Sequence, residues 1–169
     1  MQLNVSQLLQ EPIGATRDYQ INEVVVLTGD GEVSRIKGNC RMLRTQRSIL
    51  VTCSLSTEVK LTCSRCLSQF SYPLEINFEE EYLPTVDVAS GTPLPLPEEP
   101  STFTIDEHHI LDLTEAARQY SLLNIPMKPL CYNECAGICQ KCGKNLNEGS
   151  CDCPKSETDP RWSELMKLL

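Results

Sequence analysis

Aromatic side chains are scarce in this chain: nine among 169 residues, with a single tryptophan. Aliphatic residues and cysteines must therefore fill much of any core. Histidine is scarcer still, with only His108 and His109, side by side. A Gly-rich phosphate loop, a nucleophile elbow and a His-Glu-x-x-His pair are all missing. Asp106, Glu107 and Asp112 do cluster, but they lie near the start of an expected helix, where carboxylates ordinarily complement the helix dipole. With so little catalytic equipment, the expected protein is not an enzyme and takes no small-molecule substrate.

Long apolar runs are missing as well, and none approaches the length needed to cross a bilayer. The leading segment MQLNVSQLLQEPIG has no basic n-region, no long apolar h-region and no small-residue cleavage site. No membrane partner is expected. The expected location is cytoplasmic, or the plastid stroma if a transit peptide lies outside this chain. Bases are absent from Glu75 to Glu115, a stretch with eleven acids. Between Arg35 and Arg65 the balance reverses: Arg35, Lys37, Arg41, Arg44, Arg47, Lys60 and Arg65 stand against the one acid Glu58. The net charge of −8 thus conceals a basic stretch followed by an acidic one.

What is abundant is cysteine, with ten. Where thiols are kept reduced, such a number points to metal ligands or redox groups before disulfides. Secreted disulfide scaffolds, the competing class, are usually shorter and carry a signal peptide.

A chain of this length can bury one ordinary core with a small appended module. The expected fold class is α+β: an antiparallel β-sheet with a Cys-x-x-Cys hairpin tip, one main C-terminal helix and a small zinc-bound Cys-rich module. Residues 1–83 are expected as the antiparallel β domain, opening on a helical turn over 7–10 that Ser6 can cap. A strand over 21–27 leads to a turn at Gly29-Asp30-Gly31. Ile36, Gly38, Cys40 and Met42 then share one strand face, with Arg35, Lys37, Asn39 and Arg41 on the other. Ile49, Val51, Cys53, Leu55, Val59 and Leu61 alternate likewise, and so do Phe70, Tyr72, Leu74, Ile76, Phe78 and Tyr82. These two runs flank Cys63-Ser-Arg-Cys66, which predicts an antiparallel hairpin with the cysteines at its turn.

Five prolines in 84–101 exclude a helix or a central strand and predict an extended, mobile, acidic linker. Residues 102–130 are expected to give an edge strand over 102–105 and a helix over 111–123. The helix would align Leu113, Ala116, Ala117, Tyr120 and Leu123 on one face. Residues 131–169 would form the Cys-rich module and a terminal amphipathic helix. That helix opens at Asp159-Pro160-Arg161-Trp162 and has Trp162, Leu165, Leu168 and Leu169 as its apolar stripe.

Cys40 and Cys53 sit on apolar strand faces and are expected as unpaired core residues. The other eight have metal-ligand spacing: Cys63-x2-Cys66, then Cys131-x3-Cys135-x3-Cys139-x2-Cys142 and Cys151-x-Cys153. Six cysteines within 23 residues, with few apolar neighbours, are hard to explain as packing. Four thiolates close one structural zinc site, so two zinc ions are expected. Cys139, Cys142, Cys151 and Cys153 would form a compact local site. Cys63, Cys66, Cys131 and Cys135 would form a long-range staple. Closed sites of this kind leave no open position for catalysis.

A redox role is the first rival, but a catalytic Cys-x-x-Cys usually needs a helix N-terminus, and Cys63 follows a strand. An iron–sulfur cluster on four of the C-terminal cysteines is the second rival, and paired short spacings suit zinc knuckles better. The remaining candidate surface is basic. Arg35, Lys37 and Arg41 project from one strand face, with Arg44 and Arg47 at its turn and Lys60 and Arg65 nearby. Such a stripe can contact phosphates, or it can simply be a solvated face. Without interleaved aromatics, any RNA recognition would be through backbone or shape.

Several segments together carry a resemblance. They are Thr62-Cys63-Ser-Arg-Cys66-Leu67, Asp112-Leu113, Leu123-Asn-Ile-Pro126-Met-Lys-Pro129-Leu-Cys131, Cys135-Ala-Gly-Ile-Cys139-Gln-Lys-Cys142-Gly143-Lys-Asn-Leu-Asn147, Cys151-Asp-Cys153 and Asp159-Pro-Arg-Trp162. In order and spacing the chain resembles the YceD-type family of large ribosomal RNA subunit accumulation proteins of bacteria and plastids. The likeness covers roughly the C-terminal two-thirds, while the first 60 residues are more generic. It implies a non-enzymatic ribosome-biogenesis factor whose partner is large-subunit ribosomal RNA or its precursor. The acidic stretch leaves a second possibility open: an adaptor or chaperone holding a basic ribosomal protein.

Overall fold

A computed structural model describes residues 1–27, 33–95, 97 and 102–153. The turn expected at Gly29-Asp30-Gly31 and the stripe from Trp162 onward lie outside these residues. The described chain forms two compact units. One comprises Met1–Leu61 and Ser71–Met127; the other comprises Thr62–Phe70 and the described residues from Lys128 on.

The first unit is mostly sheet. Its elements follow the order β1 (Gln2–Asn4), α1 (Ser6–Gln10), β2 (Thr16–Val26), β3 (Val33–Arg44), β4 (Ile49–Thr62), β5 (Gln69–Pro84), β6 (Phe103–Ile105), β7 (Ile110–Asp112) and α2 (Thr114–Asn124). Among the described residues the strands make a seven-stranded mixed sheet in the order β1-β7-β6-β5-β4-β3-β2. β2 pairs antiparallel with β3, and β3 with β4, while β5 and β6 run parallel. In β4, Ile49, Val51, Cys53, Leu55, Thr57 and Val59 are buried and Thr52, Ser54, Ser56, Glu58 and Lys60 are exposed. The period of two therefore separates an inner from an outer face. Leu8 and Leu9 of α1 and Ala116 and Ala117 of α2 join the buried strand residues in one core cluster. Each fully buried Leu, Ile or Val there is stabilising by about 1.5–3 kcal/mol. Phe78 stacks on Tyr120 at 5.1 Å, and the Tyr120 hydroxyl donates to Glu80 at 2.7 Å, which fixes α2 against β5.

Several expectations change. The helix expected over 111–123 begins at Thr114, because residues 110–112 pair with β1 through Gln2↔Asp112, Leu3↔Leu111 and Asn4↔Ile110. The Asp112 carboxylate accepts the Thr114 N–H at 2.8 Å and turns the chain from strand to helix. Ser6 does not cap α1; instead its N–H and hydroxyl both donate to Asn4 Oδ1, at 3.0 and 2.7 Å. β6 is not an edge strand, since the two three-residue strands β7 and β1 extend the sheet beyond it. Where an extended linker was expected, residues 85–94 fold into a hydrogen-bonded turn. Asp87 N–H donates to Thr92 O at 2.9 Å and Leu94 N–H to Thr85 O at 2.9 Å. The Asp87 carboxylate collects the Ala89 and Ser90 N–H groups, an Asx arrangement that needs no N–H from proline.

Cys40 and Cys53 are not unpaired core thiols: they form a disulfide. The β3–β4 register sets them directly opposite each other, and both are buried. In the unfolded, metal-free protein, thiol titration should therefore find eight groups before reduction and ten after. Cys40→Ser should cost about 3 kcal/mol, the scale for closing a loop of this length. Ten thiols without reductant would remove the bond.

Candidate metal centres

The second unit is built around its cysteines. Cys63 N–H donates to Ser68 O at 2.9 Å, and Leu67 N–H returns to Cys63 O at 3.0 Å. Leu67 adopts φ 61, the left-handed conformation that glycine usually supplies, at a cost of roughly 1–2 kcal/mol. The same pattern recurs at Cys139, whose N–H donates to Lys144 O at 2.8 Å while Gly143 N–H returns to Cys139 O at 2.9 Å. In this second copy glycine holds the left-handed position, φ 72. Each loop also aims an N–H at its first sulfur: Arg65 N–H reaches Cys63 Sγ at 3.5 Å, and Lys141 N–H reaches Cys139 Sγ at 3.4 Å. The two loops are therefore one structural device used twice.

Ser64 N–H donates to Pro129 O at 2.8 Å, which draws the chain ahead of Cys131 onto the first loop. Arg65 Nη1 donates to Cys135 O at 3.0 Å, and Gly137, at φ 77, holds a left-handed conformation that favours glycine and in which a Cβ would press on Arg65 O at 3.2 Å. Cys63, Cys66, Cys131 and Cys135 thereby converge, with Cys63 Sγ 3.8 Å from Cys135 Sγ and Cys66 Sγ 3.6 Å from Cys131 Sγ. Cys139, Cys142, Cys151 and Cys153 form a second set, and within each set all four sulfurs lie within 4.8 Å of one another. Each set could hold a metal ion. The first is deeply placed, with Cys63, Cys66 and Cys135 buried, whereas in the second Cys142 is exposed and the rest half-buried.

The local fields favour thiolate at Cys63 and Cys66 in the first set, the latter through hydrogen bonds from Ser68, and at Cys139 in the second. Burial pushes the Cys63 thiol up, but the backbone N–H groups of Cys66, Cys131 and Arg65 together outweigh it and bring its pKa to about 6. The N–H groups of Cys142 and Lys141 bring Cys139 to about 6 as well. Burial, reinforced by the neighbouring sulfurs, pushes Cys131 up to about 12. Hydrogen bonding with Cys142, followed by burial, does the same for Cys153. Four sulfurs at these distances resist shedding all their protons unless a cation joins them.

Two residues bracing these sets were invisible as site residues in the sequence. Asn147 Nδ2 donates to Cys135 Sγ at 3.3 Å, and Asn145 Nδ2 donates to Ser68 Oγ at 3.4 Å. The available signal was two amide side chains in the short loop between Cys142 and Cys151.

The basic candidates are only partly gathered. Arg35, Lys37 and Arg41 are exposed on one face of β3, and Lys60 is exposed on β4. Arg41 Nε is paired with Asp18 at 2.8 Å, and this guanidinium holds the Asp18 carboxyl below its ordinary value. Arg47 is exposed between β3 and β4, whereas Arg44 is half-buried and donates to Ser48 O at 3.4 Å. Arg65 belongs to the second unit. On β5, Glu75, Glu79 and Glu81 are exposed, and Thr52 donates to Glu79 at 3.3 Å.

The family model described as "Large ribosomal RNA subunit accumulation protein YceD" matches residues 51–169. The protein YlbN of Bacillus subtilis is 31% identical over 156 residues, which cover 89% of this chain and 84% of YlbN. A chloroplastic protein of Arabidopsis thaliana, named "Large ribosomal RNA subunit accumulation protein YCED homolog 1", is 36% identical over 58 residues, 34% of this chain but only 18% of the plant protein. A Mycobacterium tuberculosis protein is 26% identical over 129 residues, 76% of this chain and 59% of its own length. No solved structure matches the chain. Among the described residues no helix is long and apolar enough to cross a membrane. Both cysteine sets draw on residues inside the matched span, and YlbN aligns across most of both chains, so the chain belongs to the YceD family of large ribosomal RNA subunit accumulation proteins.

Proposed function

We propose that the chain is a non-enzymatic, cytoplasmic ribosome-biogenesis factor that supports accumulation or processing of large-subunit ribosomal RNA, with two structural zinc ions holding its second unit. The observation that carries the reading is the pair of complete four-thiol sets in a chain of this family. A tetrahedron with Zn–S arms of about 2.3 Å has edges of roughly 3.8 Å, and two sulfur pairs of the first set stand at 3.8 and 3.6 Å. The N–H···S contacts in both loops favour bound thiolates over thiols. With four sulfurs each, neither zinc would keep a position for water or substrate, so its contribution is to hold the fold.

Arg35, Lys37 and Arg41 are the foremost RNA-facing residues, with Arg44, Arg47, Lys60 and Arg65 as further contacts. Backbone phosphates are their target, because the outer face of β3 offers charge and amides and no aromatic ring. The exposed acidic row Glu75, Glu79 and Glu81 favours a second reading, an adaptor for a basic ribosomal protein.

The test is made in cells lacking the protein. The ratio of mature large- to small-subunit RNA should fall, and an unchanged ratio overturns the role. Crosslinking in cells carrying the protein then separates the two readings. Enrichment at defined positions of the large-subunit precursor, lost on charge reversal of Arg35 and Lys37, supports RNA contact. Enrichment of a basic ribosomal protein instead, lost on charge reversal of Glu79 and Glu81, supports the adaptor.

A further inference from the structure

The two cysteine sets are separate in space, but their surroundings are shared. Asn147 belongs to the loop between Cys142 and Cys151, both in the second set, yet its amide Nδ2 donates to Cys135 Sγ in the first set, at 3.3 Å. The rest of that side chain is fully engaged. Its Oδ1 accepts the Ala136 N–H at 2.7 Å and the Tyr132 hydroxyl, and its Nδ2 also donates to Asn145 Oδ1 at 2.8 Å. Asn145 in turn reaches Ser68 Oγ at 3.4 Å, on the loop that carries Cys63 and Cys66. Backbone bonds tie the same loop to the stretch after Cys135: Leu146 N–H donates to Gly137 O at 2.8 Å, and Ile138 bridges Asn145.

The remaining bonds of the loop over 143–150 run within it or to Cys139 of the second set, as in Lys144 Nζ to Ser150 O at 2.7 Å and Cys139 N–H to Lys144 O at 2.8 Å. The loop's residues are exposed or half-buried, and Leu146 is its one apolar side chain. A metal on the second set would clamp both ends of the loop, at Cys142 and at Cys151, and so lower the entropy cost of keeping the Asn147 amide on Cys135. An N–H donated to a ligand sulfur stabilises the thiolate and orients it, and losing such an outer-shell partner typically weakens metal binding about 10- to 100-fold.

We propose that Asn147 couples the two cysteine sets: metal on the second set fixes the loop that presents the Asn147 amide to Cys135, so the two ions load cooperatively. The inference rests on the metal reading given above. By linkage, an ion in the first set raises the affinity of the second by the same factor.

The test titrates the reduced, metal-free full-length protein with cobalt(II), whose four-thiolate complexes absorb visibly, and then displaces cobalt with zinc. Four proteins are compared: the unaltered chain, Asn147→Asp, the double variant Cys142→Ser with Cys153→Ser, and all three changes together. Asn147→Asp keeps the oxygen that accepts from Ala136 and Tyr132 and removes the amide donor that faces Cys135 and also reaches Asn145 Oδ1. Disabling the second set should weaken the first about tenfold when Asn147 is present and less than about twofold in the Asn147→Asp background. Asn147→Ala, which removes the donor without adding a charge, should reproduce that loss of coupling. An equal weakening in both backgrounds overturns the coupling and leaves the metal reading standing. Absence of any cobalt–thiolate absorption from the eight reduced thiols of the two sets overturns both.

Discussion

Stripped of metal by a chelator under reducing conditions, the protein should lose order over residues 128–153 while the strands of the first unit stay folded. The reason is the poverty of the second unit's core. Beyond its cysteines, the hydrophobic residues packed there are Phe70, Leu130 and Ile138, and all three are only partly buried. Such a cluster falls far short of the conformational entropy of ordering more than 30 residues, on the order of 1–2 kcal/mol each. In small cysteine modules the free energy of zinc ligation is itself folding free energy. The first unit has its own core from Met1 to Ala117, which needs no metal. Trypsin followed by mass spectrometry reads the difference. Cleavage after Lys141 and Lys144, both exposed, should accelerate at least about 100-fold without metal, since opening then costs little. Cleavage after Arg41, within a paired strand, should not change. Protection of 128–153 that survives metal removal would sink the structural-metal reading.

The second large effect is expected at Gly38. It lies opposite Leu55 in the β3–β4 register, and a Cβ there would sit 2.1 Å from Ser54 O and 2.7 Å from Leu55 Cα. Both are backbone atoms of the neighbouring strand, so no side-chain rotation can relieve the overlap. The two strands would have to separate, at the point where the buried Cys40–Cys53 bond begins two residues away. Gly38→Ala should therefore cost at least about 3 kcal/mol, a large part of the roughly 5–15 kcal/mol that holds a domain together. Gly14→Ala is the internal comparison. Gly14 also has positive φ, 92°, but nothing within 4 Å of its Cβ position, so only the left-handed penalty of about 1–2 kcal/mol applies. Denaturant midpoints of the two variants, followed by circular dichroism, decide the matter. Equal shifts would mean that the β3–β4 contact yields more easily than its geometry implies.

β4 and β5 were legible because one face of each is buried over ten or more residues, whereas β2 buries only Ile21 and Val25 and its first half, from Thr16, was missed. Ile49 to Val59 alternate long enough for the period to rise above chance. β1 and β7 were not legible, because three residues cannot display a period, and the pairing of Gln2 with Asp112 is a purely long-range choice. That choice also moved the start of α2, since the apolar positions Leu111 and Leu113 fit either a strand or a helix. The Cys40–Cys53 bond was hidden for a related reason. Alternation placed both residues on inner faces, but only the register set by the turn at Thr45–Ser48 makes them opposite each other. For the candidate site, the gathering of eight cysteines into two sets followed from their spacing, because short loops leave thiols few places to go. Asn147 was not legible, because its role depends on a sulfur from the other set.

The pairing of β1 with β7 also sets a timetable for a chain made from its N-terminus. Gln2 waits for Asp112, a separation of 110 residues, and at about 5–20 residues per second synthesis needs roughly 5–20 s to cover it. β2, β3 and β4 can pair as they emerge, because each contacts its sequence neighbour. The helix that follows β1 meanwhile holds Leu8 and Leu9 with only part of their final surroundings present. A chain halted anywhere between β5 and β7 would thus display sticky surface from its oldest residues, so early stop codons here should yield aggregates rather than smaller soluble domains.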